Sequence, residues 1–130
     1  MRPEEDYREW LKKSREDFDF ASSVLQGSPF LSQVCFFFQQ SAEKYLKTYI
    51  VEKKLKFLKI HELRKLLKIC EDNNASFKIL RDDCDFLSPF YIDTRYPVHW
   101  PSEVSKEEAL KAQEAALKIK EFVEEQLKGL

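Results

Sequence analysis

The sequence predicts an all-α fold, an antiparallel bundle of four to five helices with a loop rich in proline and aromatic residues before the last helix. The length of 130 residues suits a single helical domain spanning 1–130. Only two glycines are present, too few for a turn-rich β-sandwich or a glycine-rich phosphate loop. Apolar residues also recur at spacings of three and four over long segments, as they do on the buried faces of bundled helices.

Charge and cysteine content exclude several classes of protein. The 22 basic and 23 acidic residues nearly cancel, so the chain lacks the overall charge of a strongly basic nucleic-acid binder, although a local patch stays open. Cys35, Cys70 and Cys84 form no CxxC pair and read as buried thiols of a reducing compartment. No motif for a metal or a resident cofactor occurs. The polar N-terminus and the short uncharged stretch Gly27–Ala42 predict a cytoplasmic protein that does not enter a membrane.

The first helix is predicted from Pro3 to Gln26. Proline is tolerated in a first turn, and the acidic residues that follow it complement the helix dipole. Gly27 suits the left-handed residue that ends many helices. One face carries the apolar stripe Tyr7, Leu11, Ser14, Phe18, Ala21 and Leu25.

The second helix, predicted from Pro29 to Leu55, is apolar around nearly its whole circumference. Such a helix must be surrounded by neighbours, so we expect it at the centre of the bundle or in a homodimer interface. Its polar residues form a strip that could line a groove or pair across an interface: Gln39, Gln40, Glu43, Lys44 and Lys47.

Three further helices follow. The third is predicted over His61–Asn73 and the fourth over Ser76–Phe86. The fifth begins after Ser105, with Glu108 in the register of a capping box. The segment between the last two helices cannot be a regular helix because it contains Pro89, Pro97 and Pro101.

The loop Ser88–Pro101 is the most unusual part of the chain, with the sequence SPFYIDTRYPVHWP. Aromatic side chains can stack on a base, and an arginine fork binds phosphate oxygens. In the alternative interpretation the loop is structural, with its aromatic residues closing the end of the bundle. Residues 29–60 hold six lysines against two glutamates. We therefore predict an anion or nucleotide site formed by Tyr91, Asp93, Arg95 and Tyr96, supported by Lys44 and Lys47.

Two residues of this loop also suit metal-free RNA cleavage. His99 would act as base or acid toward the 2′-hydroxyl group, and Arg95 would neutralise the charge that develops on phosphorus. The other histidine, His61, stands at a predicted helix start, where capping and packing are expected rather than catalysis.

Four segments occur in an order that resembles the HEPN family, the higher-eukaryote and prokaryote nucleotide-binding domain. They are YREWLKKSREDFDFASSVL, FFFQQSAEKYLKTYIV, IHELRKLL and FLSPFYIDTRYP. The resemblance, to a stand-alone prokaryotic member, implies a helical bundle, commonly a homodimer, encoded beside a minimal nucleotidyltransferase. Many members are toxin–antitoxin or defence components. Several are metal-independent endoribonucleases, and others bind nucleotides or act as non-catalytic partners.

This sequence departs from the ribonuclease motif of that family, an arginine and a histidine at a set spacing. Three residues lie between Arg95 and His99, fewer than the family motif has, and Pro97 is one of them. The resemblance therefore favours a nucleotide- or nucleic-acid-binding subunit that works with a nucleotidyltransferase and is not itself an enzyme. An endoribonuclease using Arg95 and His99 at a dimer interface is the first alternative, and a non-catalytic helical scaffold is the second.

Overall fold

The computed structural model of the chain describes residues 2–91 and 103–128, and these residues contain helices but no strand. The all-α prediction is therefore confirmed. Short 3₁₀ turns cover Pro3–Glu5, Ala75–Leu80 and Ser88–Phe90. The five α-helices are α1 (Tyr7–Val24), α2 (Leu31–Glu52), α3 (Leu63–Asn73), α4 (Arg81–Leu87) and α5 (Lys106–Gln126).

Helix α2 is the central helix, as its apolar circumference predicts. It packs against α1 along most of its length, and α5 and α3 cover its other sides. None of the other helices has as many buried residues within the described part of the chain. Its largest fully buried side chains are Phe38, Tyr45, Leu46, Tyr49 and Ile50.

Polar contacts fix α1 against α2. The Ser41 hydroxyl donates to the Ser14 carbonyl oxygen at 2.9 Å, and Lys44 Nζ lies 2.5 Å from an Asp17 carboxylate oxygen. The Phe18 ring meets the Phe38 ring edge-on at 5.6 Å. Ser14 of α1 also lies beside Thr48 of α2, whereas Phe20 lies beside Phe37, so residue numbers fall along α2 as they rise along α1 and the two helices run antiparallel.

Helix α5 packs on the same pair of helices. The Tyr45 hydroxyl donates to Glu124 at 2.7 Å, and Arg15 donates to the same oxygen at 3.1 Å. Burial and this carboxylate raise the pKa of Tyr45 far above its ordinary value. Burial favours the neutral form of Glu124, but hydrogen bonds from Tyr45, Arg15 and Lys120 outweigh it and lower the pKa of Glu124.

The first two helices are shorter than predicted. Helix α1 begins at Tyr7 because the Asp6 side chain accepts from the Arg8 amide at 3.0 Å and caps the helix there. Helix α2 ends at Glu52 because Lys54 has a φ of 55°, a left-handed conformation that stops the helix.

The first half of the fourth predicted helix is a 3₁₀ segment and α4 begins only at Arg81, so its predicted start at Ser76 is wrong. The Asn74 side chain accepts from the Ser76 amide at 3.0 Å, which begins a tight turn. The Phe77 ring then lies between those of Tyr49 and Phe122, with ring centres 4.5 Å and 4.8 Å away. The last helix begins where the sequence predicts, because the Ser105 capping box is present.

The three cysteines are free and buried, as predicted. Burial raises the pKa of Cys35 and Cys84 to about 12, and it raises that of Cys70 further. Thiols with such pKa values are protonated at neutral pH and chemically inert. No helix in the described part of the chain is long and apolar enough to cross a bilayer.

The central position of α2 predicts a large cost for truncating Phe38, which is fully buried. Phe38→Ala should lower the free energy of unfolding by about 3–5 kcal/mol, because it removes a buried ring and leaves a cavity. Chemical denaturation measures this change. Ile79→Ala, at a side chain that is 72% exposed, serves as the control and should change it by less than about 0.5 kcal/mol. A loss below about 1 kcal/mol for Phe38→Ala would contradict the packing described.

Candidate functional site

A buried carboxylate on α2 is shared between two basic side chains. Glu43 and Lys47 lie one turn apart, with side chains only 3% and 6% exposed, and Lys47 Nζ is 3.0 Å from Glu43 Oε2. His61 approaches the same carboxylate from the segment before α3, with Nδ1 3.1 Å and 3.2 Å from the two oxygens. The His61 side chain is half exposed. We call these three residues the Glu43 cluster.

Two glutamines of α2 hold the segment that carries His61. Gln39 Nε2 donates to the His61 carbonyl oxygen at 3.3 Å. Gln40 Nε2 donates to Glu43 Oε1 at 3.2 Å and to Gln39 Oε1 at 2.8 Å. The polar strip of α2 thus fixes both the backbone and the side chain of His61.

Aromatic rings enclose the buried ammonium group. Lys47 Nζ lies 5.5 Å from the centre of the Trp10 ring and 5.8 Å from that of Phe57, within the range of cation–π attraction. The two rings contact each other at 5.5 Å. Glu43 and the two aromatic rings therefore both stabilise the positive charge of Lys47.

A groove of about 930 Å³ opens beside the Glu43 cluster. That volume lies within the range of small-molecule sites. Lys54, in its left-handed conformation, and Lys59 give the groove a cationic rim. The rim is mixed in sign, because Arg2 lies there with Glu4 and Glu5. The apolar wall consists of Trp10, Val51, Leu55 and Phe57.

A second groove, of about 550 Å³, lies on the other side of His61. Its lining includes Lys59, Arg64 and Tyr91. The Tyr91 ring stacks on the His61 ring at 4.5 Å with an interplanar angle of 16°. The centres of the Tyr91 and Phe36 rings are 6.4 Å apart. Tyr91 is the last described residue before the segment 92–102. His61 and Lys59 border both grooves.

The structure places three of the predicted site residues. Tyr91 stacks on the His61 ring and Lys47 pairs with Glu43, the carboxylate that also contacts His61, so the fold brings both to the same region. Lys44 lies toward α1, where it pairs with Asp17. The other predicted site residues, which lie outside the described residues, are Asp93, Arg95, Tyr96 and His99.

The capping role expected for His61 is wrong. Glu62 is the N-cap residue of α3 and makes no side-chain capping bond, while His61 bonds to Glu43 instead. The polar strip of α2 nevertheless contained a sequence pattern that points to this cluster, namely Glu43 and Lys47. A glutamate and a lysine four residues apart on an otherwise apolar helix indicate a buried pair, and such a pair needs further polar partners.

Comparison with known proteins agrees with this architecture. The HEPN domain model matches residues 7–126. The crystal structure of an archaeal HEPN homologue has a similar fold, with a TM-score of 0.73 and 21% sequence identity, covering 98% of this chain and 100% of that one. No curated protein matches the chain. The resemblance drawn from the sequence motifs is therefore confirmed.

The buried pair predicts that Lys47→Met destabilises the protein. The variant keeps an unbranched side chain, one atom shorter, but leaves the Glu43 carboxylate without its ammonium partner, which should cost about 3–5 kcal/mol of unfolding free energy. Lys65→Met is the matched control, because Lys65 forms an exposed pair with Glu62, and it should cost less than about 1 kcal/mol. Equal effects of the two variants in chemical denaturation would contradict the burial of the Glu43 cluster.

Proposed function

The chain belongs to the HEPN domain family, and we propose that it is a nucleotide- or nucleic-acid-binding subunit. One observation carries this proposal. His61 borders both grooves, and Tyr91, which belongs to the loop predicted to bind a ligand, stacks on its ring and borders the smaller groove. Aromatic faces and cationic rims are the two features that bind bases and phosphates.

The loop would supply the remaining contacts. Arg95 follows Tyr91 by four residues, with Asp93 two residues before it and Tyr96 directly after it. Its guanidinium fork suits a phosphate group. Lys47 would support the site through the Glu43 cluster, whereas Lys44 would first have to leave Asp17.

A binding role for the loop fits the sequence better than ribonuclease chemistry. Pro97 lies between Arg95 and His99, and a proline there prevents both side chains from sharing a regular helical turn. The family context also leads us to propose a minimal nucleotidyltransferase as the partner, in a toxin–antitoxin or defence system.

We also propose that the subunit is a homodimer that uses an apolar surface at the junction of α1 and α2. Phe30, which is 64% exposed, and Phe20, which is 49% exposed, border a shallow groove of about 340 Å³. Val24 and Phe37 line the same groove. Exposed apolar surface of this kind usually marks an interface.

Calorimetry with ATP and with a short RNA at low salt tests the binding proposal. The wild type should bind one of them, and binding should weaken as salt screens the phosphate contacts. Arg95→Lys should weaken binding by about tenfold, because an ammonium group cannot replace the bidentate fork. Lys111→Ala, at an exposed position of α5, is the control and should bind normally.

Two outcomes would contradict the binding proposal. If neither ligand binds at low salt, the proposed function is wrong. If binding is unaffected by Arg95→Lys, the loop is structural. Incubating the RNA with protein and EDTA adds a further check, since cleavage that His99→Ala abolishes would establish the ribonuclease alternative.

Sedimentation equilibrium tests the dimer. At tens of micromolar the wild type should have twice the 15.5 kDa mass of one chain. Phe30→Ser should shift the equilibrium toward the monomer, because it places a polar group in the apolar surface. Ile79→Ser, at an exposed apolar side chain outside this surface, should leave the mass unchanged. A wild type that sediments only as a monomer would exclude the dimer.

A further inference from the structure

We propose that Nε2 of His61 is a phosphate-binding group that engages a nucleotide only when the imidazole ring is protonated, with Glu43 as its positioning residue. This inference rests on the proposed function and names the chemistry of the same site. The protonated ring would bind one phosphate, and the nucleoside would lie in the groove of about 930 Å³.

The contact with Glu43 decides where the ring carries its proton. His61 Nδ1 lies 3.1 Å and 3.2 Å from two carboxylate oxygens, which accept hydrogen bonds but cannot donate them. In the neutral ring the proton therefore belongs on Nδ1, and Nε2 presents a lone pair. Phosphate oxygens are acceptors as well, so neutral His61 repels a phosphate at Nε2. The imidazolium, in contrast, donates from Nε2 while Nδ1 stays on Glu43.

The charge balance of the Glu43 cluster leads to the same result. Glu43 and Lys47 already compensate each other at 3.0 Å in a nearly buried pair. Protonation of His61 therefore adds a positive charge that nothing within the cluster neutralises, and a phosphate would supply the counter-charge. Among the described residues, the other titratable or charged groups around His61 are Lys59, Glu62 and Arg64 on its own segment and on α3, and Tyr91 stacked on the ring. The larger groove adds charged groups from the N-terminus and from the turn after α2: Arg2, Glu4, Glu5 and Lys54.

The His61 ring is partly open to solvent, and Nδ1 rather than Nε2 is the nitrogen that meets Glu43. Glu43 holds one edge of the ring and Tyr91 covers one face, yet half of the His61 side chain stays exposed. His61 borders the larger groove, whose wall of Trp10, Leu55 and Phe57 suits a flat, largely apolar base. Lys59 borders the same groove and offers a second cation to the phosphate.

The test measures binding of a short oligoribonucleotide with unphosphorylated ends, by fluorescence anisotropy at constant salt. Its phosphodiesters keep their charge over the pH range, so a pH dependence reports on the protein. Affinity should rise at least about tenfold from about pH 8 to about pH 5.5, the range in which histidine generally titrates. His61→Gln should abolish this rise. Lys68→Gln, at an exposed position of α3, should keep it.

A second variant separates positioning from simple loss of charge. Glu43→Gln combined with Lys47→Met removes both charges of the buried pair and leaves His61 in place. The new amide can donate to Nδ1, so the neutral ring can then carry its proton on Nε2. This variant should bind more tightly than His61→Gln at about pH 8, with a weaker pH dependence than the wild type.

The outcomes distinguish this inference from the proposed function. If the oligonucleotide, ATP and inorganic phosphate all fail to bind at either pH, the proposed function itself is wrong. If the oligonucleotide binds with the same affinity at both pH values, the inference about His61 is wrong and the binding role stands. The inference is equally wrong if His61→Gln keeps the pH dependence, because a group other than His61 would then carry it.

Discussion

The Glu43 carboxylate is the constraint on which the candidate site depends. A nearly buried charge requires partners, because its transfer out of water costs far more than a neutral group would. On α2 the partner one turn away is Lys47, and the partner from outside the helix is His61. To bring His61 to this carboxylate, the connector between α2 and α3 (residues 53–62) must return along α2. Lys59 and His61, which this connector carries, border both grooves.

The same demand for partners explains the other polar residues buried along α2. The Ser41 hydroxyl donates to the carbonyl oxygen of Ser14, and the Thr48 hydroxyl donates to the carbonyl oxygen of Lys44 at 2.8 Å. The Tyr45 hydroxyl reaches Glu124 on α5. Each of these polar groups is bonded to a neighbour within the protein. A helix surrounded by other helices can thus carry polar side chains without losing stability. On the side of α2 that faces the connector, Lys47 borders the larger groove.

The sequence predicts the fold well where an element depends only on residues that are close together in the chain. The apolar circumference of α2 and the Ser105 capping box both appear in the structure, because each depends on residues close in the chain. The helix predicted over Ser76–Phe86 is α-helical only from Arg81, because the tight turn before it depends on the Asn74 side chain and on the space between rings distant in the sequence. The role of His61 was missed for a similar reason. Its partner lies 18 residues earlier, and only the path of the connector brings the two together.

The tautomer of His61 tests the central role of Glu43 most directly. Long-range ¹H–¹⁵N NMR spectra distinguish the two ring nitrogens, and comparison with His61→Gln assigns the signals. At alkaline pH, where the ring is neutral, the proton should lie on Nδ1, held there by the carboxylate at 3.1 Å. A neutral ring with its proton on Nε2 would contradict this account, because Glu43 would then not bond to the histidine.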